Sequence, residues 1–493
     1  MAGPVVTISS NGSSDLLKPH ANGVLNGMNG TWPKPTKISR SNSQSLQYPE
    51  QYLTKEEIVA VIASGCKAKE NWRVGLENEK FGVQLDTLEP ITMDNLHDLL
   101  DGMASRFGHK RIMEDGIVVA LEKDGQSCSL EPGGQLELSG APLKDIHAVQ
   151  RELDVHLEEV NTIAKELGLG FAGTGYEPKW PLQTKILWNK SGRYDALQKQ
   201  ITEYHGTGKP FLRTMLSTCT VQANVDFGSE QDMINKLRVG LSFQPIVTAL
   251  FASSPFSEGK PSGYLSYRSF TWTQYDDQRT GMLPFVFDKD FGFEKYVEYT
   301  LNVPMASLCR NHQWYYVKRK HASFKDFMAG KLEGFEGERA SMEDWLLHIN
   351  QGYPEVRLKA GYLEMRGADC GPRPFLLALP AFWVGLLYDE QSLKGAMEII
   401  RDWTNEERQM LRMEAPRLGL QVPFRGGLLK DVAQAVVKLA KEGLVRRGRN
   451  EEVFLAPVEE VANSGVTLAE RMLELYNGKW GSKVDPIFDE LKL

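Results

Sequence analysis

The chain is expected to fold as an α+β protein, an antiparallel β-sheet with helices packed around it. Two observations predict this. Segments around Glu77, Glu131 to Leu138, Thr218 to Phe227 and Glu364 alternate apolar and polar residues with the period of two that a half-buried strand requires. The chain after Asp369 reads instead as a run of helices. Acids fall in step on strands far apart in the sequence, so those strands are expected to converge in one sheet and one integrated domain over residues 51–493.

The elements follow in order. Thr54 with Glu57 three residues later is a capping-box pattern that opens a helix reaching about Lys69. An acidic strand covers 73–83, and Met93 to Phe107 reads as a helix. Residues 111–138, punctuated by Gly, read as a meander of antiparallel strands. Pro142 to Leu167 is a long amphipathic helix. Thr218–Phe227 alternates strictly, and Ser229 opens a helix to about Ala252. Residues 255–285 are expected to form a long functional loop, a candidate lid. Helices follow at Phe375–Tyr388, Glu390–Trp403, Asn405–Met413, Leu428–Val445, Pro457–Asn463 and Thr467–Tyr476.

Composition sets limits. With 41% hydrophobic and 25% charged residues, the chain has ordinary globular usage and enough length for a large core. A net charge of −7 argues against a nucleic-acid binder, which needs a basic face. The longest apolar run, Phe375 to Tyr388, is shorter than the roughly 20 residues of a membrane span and contains Pro380. Five cysteines without a CxxC pair point to reduced thiols rather than a zinc or thioredoxin-like motif. Residues 1–50 are rich in Ser, Asn and Gly, with Asp15 the only acid before Glu50; they read as a disordered tail or a transit-like segment.

The acids carry the chemistry. Glu77 and Glu79 share one face of their strand, as do Gln135 and Glu137 of theirs, and Glu364 shares a face with Arg366. Clustered carboxylates repel unless a cation joins them, and Mg²⁺ with substrate phosphates is the natural guest. Lys80 and Arg366 stand beside these acids as candidates to neutralise phosphate oxygens. No Walker A or dinucleotide fingerprint is present, so a nucleotide would bind through carboxylates and metal. Arg193 and Arg268 sit among aromatic residues in loops, where a guanidinium suits a carboxylate. Cys219 falls on the apolar face of its strand, and Asp276 with Arg279 reads as a structural ion pair.

On these stretches the chain resembles the plant and proteobacterial type of glutamate–cysteine ligase from about Tyr52 to Lys492. Glu77–Gly82, Glu131–Ala141, Thr218–Phe227, Arg268–Trp272, Arg279–Phe287, Tyr362–Asp369 and Ala378–Asp389 carry the likeness. The resemblance implies a sheet funnel like the glutamine synthetase core, with helices outside. It implies ATP as co-substrate and two or three Mg²⁺ ions held by Glu77, Glu79, Glu131, Glu137 and Glu364. Gln222 and Asn224 would line the funnel floor. Arg193 and Arg268 would hold substrate carboxylates, and Arg366 with Lys80 would serve the phosphoryl group. It implies joining of the γ-carboxylate of glutamate to the amine of cysteine through a γ-glutamyl phosphate, the first step of glutathione synthesis. A ligase with another amine acceptor and a non-catalytic relative are the alternatives. The implied partners are glutamate, cysteine and ATP, with no nucleic acid and no membrane, in a monomer or homodimer. Family precedent implies a chloroplast location, and otherwise the cytoplasm. The paired redox cysteines of plant members are replaced here by Gln150 and Leu377 and, roughly, by Arg319 and Gly334, so a thiol switch through those pairs is not expected. Ser217 and the Cys370–Phe375 segment also depart from the family pattern.

Overall fold

The structure is a computed structural model that describes residues 52–114, 116–182, 196, 199, 209–311, 313–318 and 322–493. The chain enters through α1 (Lys55–Ala63), whose first turn is closed as expected: Thr54 Oγ1 accepts from the Glu57 amide at 3.2 Å, and Glu57 returns a carboxylate to the Thr54 amide at 2.9 Å. The helix stops well short of Lys69. Gly65 lies against Gly361, so close that a Cβ on Gly65 would meet the Gly361 Cα at 2.3 Å, and the chain there must turn away.

Period-two segments become strands. These are β1 (Val74–Gln84), then, after α2 (Met93–Phe107), the meander β2 (Lys110–Glu114), β3 (Ile117–Lys123), β4 (Gln126–Leu130) and β5 (Leu136–Ser139). After α3 (Ile146–Glu166) come β6 (Leu169–Ala172), α4 (Lys209–Ser217) and β7 (Thr220–Val225). Then follow α5 (Glu230–Leu250), α6 (Tyr267–Thr273), β8 (Val356–Leu358) and β9 (Leu363–Asp369). Together the nine strands form one sheet in the order β8-β9-β7-β1-β5-β4-β3-β2, with β6 paired to the distal half of β1. Each ladder is antiparallel. The predicted fold class, an antiparallel sheet surrounded by helices, is the observed one.

One face of this sheet is apolar. Leu76, Leu138, Val221, Ala223, Val225, Leu363 and Met365 are buried in a core shared with α5 and with three C-terminal helices: α7 (Arg373–Leu387), α8 (Glu390–Ile399) and α10 (Leu429–Arg447). A fourth, α9 (Asn405–Leu418), packs on α5 and α6. It runs longer than expected because Pro416 is accommodated inside it. Cys219 lies in the core as expected, and all five cysteines are free thiols. The Asp276–Arg279 pair also forms, at 2.8 Å. Among the described residues no helix is long and apolar enough to cross a membrane.

The main departure is α6. Residues 255–285 were expected to be loop, yet they contain this helix, three short strands and the start of a 3₁₀ turn. Its seven residues are too few to hold a helix by propensity, so tertiary contacts must fix it.

The α7–α10 contact is unusually close. A Cβ on Gly443 would lie 2.0 Å from the Gly385 carbonyl oxygen, and one on Gly385 would lie 2.2 Å from the Ala440 oxygen. Both obstacles are backbone, so the helices themselves would have to separate. Gly443→Ala is therefore expected to destabilise by about 2–3 kcal/mol. Urea unfolding checks this: the midpoint should fall with the slope unchanged.

Candidate active site

The second face of the sheet gathers the acids. Antiparallel register sets Glu79 of β1 directly opposite Glu137 of β5, and Glu77 opposite Gln222 of β7 on the other edge. Glu364 of β9 stands opposite Asn224 of β7 on one side and Arg357 of β8 on the other. Glu131, in the turn between β4 and β5, faces Glu137 closely enough to act on its ionisation. Glu77, Glu79, Glu131, Glu137 and Glu364 thus come together, as do Gln222 and Asn224.

Their environments differ. Glu77 accepts from Gln222 Nε2 at 3.0 Å and from Asn224 Nδ2 at 2.8 Å. Glu79 accepts from the Thr220 amide at 3.0 Å, and Glu137 from Ser129 Oγ at 3.2 Å. Burial raises all three carboxyls, Glu77 to about 7 and the others to about 8. Neighbouring carboxylates add to this: Glu364 and Glu137 act on Glu77, Glu137 acts on Glu79, and Glu131 acts on Glu137. Glu364 goes the other way. Burial would raise it too, but Arg357, Arg366 and Lys359 outweigh that and hold it near 2. Arg357 grips both its oxygens, Nε at 2.8 Å and Nη2 at 2.7 Å, and Arg366 pairs with it as well. Glu364 is therefore placed to orient arginines.

A cleft opens beside this face. Arg268, Trp272, Tyr353, Glu355, Arg366 and Arg412 are among its lining residues. Three guanidiniums against one carboxylate suit an anionic ligand. Arg268 is 3% exposed, and its Nε has no hydrogen-bond partner among the described residues; neither has the Trp272 Nε1. Buried donors usually find a partner in protein, water or a ligand, so both are available to a group in the cleft. Arg366 belongs to both regions: its Nη1 donates to Gln222 Oε1 at 2.7 Å on the sheet, and its side chain lines the cleft.

Lys80 is a correction. It points through the opposite face of β1, wholly buried, with its Nζ 3.0 Å from His156 Nε2 and 3.4 Å from the Leu136 oxygen. The same parity that pairs Glu77 with Glu79 sends residue 80 away from them. Gln135 also leaves the acidic face: it lies in the turn, where its Nε2 donates to the Thr218 oxygen at 2.9 Å. Arg193 lies outside the described residues. Sequence reasoning missed Arg357 and Lys359, although their i, i+2 spacing just before Gly361 signals a hairpin partner for the Glu364 strand. Arg412 and Tyr353 carried no sequence signal.

The acids were also tested as a cation site. Among the described residues, no group of three or more Asp, Glu, His or Cys side chains is arranged to hold a single ion. Mg²⁺ does not require such a cage, since it is usually bound by one or two carboxylates and completed by phosphates and water. The apposed, desolvated Glu79–Glu137 pair meets that demand.

The fold is α+β, and one face of its antiparallel sheet gathers acids and arginines beside an arginine-lined cleft. The sequence comparison gives the family: glutamate-cysteine ligase family 2 matches residues 73–490, and the chain belongs to it. A chloroplastic glutamate–cysteine ligase of Solanum lycopersicum is 55% identical over 439 residues, covering 89% of this chain and 83% of that one. Glutamate–cysteine ligase B of Oryza sativa subsp. japonica, also chloroplastic, is 53% identical over 453 residues, 92% of this chain and 90% of that one. Among solved structures, the glutamate–cysteine ligase of Francisella tularensis in complex with AMP shares the fold with a TM-score of 0.51 at 15% identity, over 86% of this chain and 88% of that one.

The raised carboxyls have a consequence for metal-free protein. An acid whose folded pKa exceeds its unfolded value stabilises below the unfolded value, and that stability is lost as pH rises through the folded value. Glu77, Glu79 and Glu137 should therefore weaken the fold as pH rises from about 5 to about 8.5. A cation binds only the ionised forms, so stabilisation by added Mg²⁺ should grow over the same range. Thermal melts with Mg²⁺ and with EDTA check this, the gap between them widening as pH increases.

Proposed function

We infer that this chain is an ATP-dependent ligase that joins the γ-carboxylate of L-glutamate to the amine of L-cysteine, giving γ-glutamylcysteine, ADP and phosphate, the first step of glutathione synthesis. The observation that carries this is the junction at Arg366, where the acidic sheet face meets the arginine-lined cleft in a chain of this family. A carboxylate does not react with an amine at neutral pH. Transfer of the γ-phosphoryl group of ATP to the glutamate carboxylate makes an acyl phosphate; the cysteine amine then attacks its carbonyl carbon, and phosphate leaves. Most of the work is positioning and charge stabilisation.

The residues divide that work. Glu77, Glu79, Glu131 and Glu137 would hold Mg²⁺, which supplies charge neutralisation for the phosphates. Glu364, with both oxygens on arginine, would instead fix Arg357 and Arg366. Arg366 faces the transferring phosphoryl group, and Arg268 holds an amino-acid carboxylate, with Arg193 a second candidate. Gln222 and Asn224 hold Glu77 in place. Trp272 and Tyr353 wall the cleft and keep water from the acyl phosphate. The relatives carry chloroplastic names, and residues 1–50 have a transit-like, acid-poor composition, so the chain is read as a chloroplast protein.

Turnover with purified protein tests the reading. ADP release should require ATP, Mg²⁺, glutamate and cysteine together, and mass detection should find γ-glutamylcysteine. ADP release indifferent to cysteine would point to another amine acceptor. No release at all would overturn the ligase reading.

A further inference from the structure

α6 carries Arg268 and Trp272, four residues apart and therefore on one side of the helix, and both line the cleft. A seven-residue helix does not fix itself, so what sets its orientation also sets the cleft. Its first turn is tied to a single acid. The Arg268 amide donates to Ser254 Oγ at 3.2 Å, and Ser254 Oγ donates to Asp369 Oδ2 at 2.6 Å. The Ser269 amide donates to Ser266 Oγ at 3.1 Å, and Ser266 Oγ donates to Asp369 Oδ1 at 2.7 Å. The Ser253 amide adds a third bond to Asp369, at 3.0 Å.

Asp369 is the last residue of β9, three positions after Arg366. It is 1% exposed, and Gly175 seals it so closely that a Cβ there would lie 2.3 Å from the Asp369 Cγ. On the far side of the helix turn, Arg268 Nη2 donates to the Arg366 backbone oxygen at 3.0 Å. The strand bearing one arginine and the helix bearing the other are thus locked together by one carboxylate and two serines.

We propose that Asp369 is a positioning residue for the ligase reaction: acting through Ser254 and Ser266, it sets the first turn of α6 against β9 and so fixes Arg268 and Trp272 in the cleft. The proposal rests on the reading that the cleft binds an amino-acid carboxylate. Asp369 touches no substrate. Loss of its acceptors would leave Arg268 charged and folded into the protein but free to tilt, which weakens one carboxylate contact and leaves nucleotide binding alone.

Steady-state kinetics on the full chain test this with Asp369→Asn, Ser254→Ala, Ser266→Ala and the double serine variant. L-glutamate, L-cysteine and MgATP are each varied with the others saturating, and circular dichroism gives the folded fraction. The KM of one amino acid is expected to rise about ten- to a hundredfold in Asp369→Asn, with the KM for MgATP unchanged. The double serine variant should match Asp369→Asn, because both act through one carboxylate. A kcat that falls only with the folded fraction, at constant KM, would make the cluster merely structural and overturn the proposal; so would equal rises in all three KM values. If Asp369→Asn does not fold, the serine variants decide by the same criteria. A wild type that forms no amide overturns the reading of the cleft itself, and the same assay reveals that separately.

Discussion

Glu137→Gln is expected to lower kcat by about a thousandfold and yet to stabilise the metal-free protein at alkaline pH. Both effects come from the register that sets Glu137 opposite Glu79. Two carboxylates in a cross-strand pair, with Glu131 beside them, repel when ionised, and burial has already lifted both to about 8. Below about pH 5 both are protonated in the folded and the unfolded chain alike, glutamine is nearly isosteric, and the variant should melt with wild type. As pH rises from about 5 to about 8.5, unfolded wild type gives up two protons that the buried pair still holds and the fold loses stability, whereas the variant carries only one such group. The Tm difference should therefore open with pH and favour the variant by a few degrees. Added Mg²⁺ should narrow it by stabilising only the intact pair. A variant that melts below wild type at every pH, or keeps full activity, would show that the pair is structural rather than a cation site.

What could be read from the sequence was what repeats locally. Alternation located β1, β5, β7 and β9 and put Glu77 with Glu79 and Glu364 with Arg366, because side-chain parity needs no knowledge of the neighbour. The same rule should have excluded Lys80, which was grouped with the acids by proximity in sequence instead of by face. Register between strands was not legible: that Glu79 meets Glu137, or that Arg357 meets Glu364, depends on which edges pair. α6 was missed for a related reason. Its N-cap Ser266 is the one local signal, and the serines that hold its start depend on Asp369, about a hundred residues further on. The long C-terminal helices were found with boundary errors of up to about five residues: α7 is apolar all round, and the others bury part of their surface against the core.

Arg366→Ala is expected to reduce kcat by about 10³- to 10⁵-fold while leaving the fold nearly intact. Removing one partner from a buried ion pair normally destabilises strongly, by about 3–5 kcal/mol, because the other charge is stranded. Here Glu364 keeps the bidentate grip of Arg357 at 2.8 and 2.7 Å, with Lys359 Nζ at 3.9 Å, so its charge stays compensated. Arg366 also serves neighbouring groups through its backbone, which the substitution spares: its amide donates to the Glu355 oxygen at 3.3 Å, and its oxygen accepts from Arg268. What the variant loses is the guanidinium between Gln222 on the sheet and the aromatic wall of the cleft, 5.6 Å from the Tyr353 ring and 5.9 Å from that of Trp272. A group that acts mainly on charge developing during transfer affects kcat more than KM. Arg366→Lys should recover little, since an ammonium restores the charge that Nη1 brings to Gln222 and Glu364 but not the planar guanidinium beside the Tyr353 and Trp272 rings. Arg357→Ala makes the reciprocal control, because it removes the principal partner of Glu364 and should lower the urea midpoint far more than Arg366→Ala does. Kinetics and urea unfolding on the three variants separate the two arginines; equal destabilisation by both alanine variants, or an unchanged kcat in Arg366→Ala, would defeat the assignment of Arg366 to the reacting group and of Arg357 to its support.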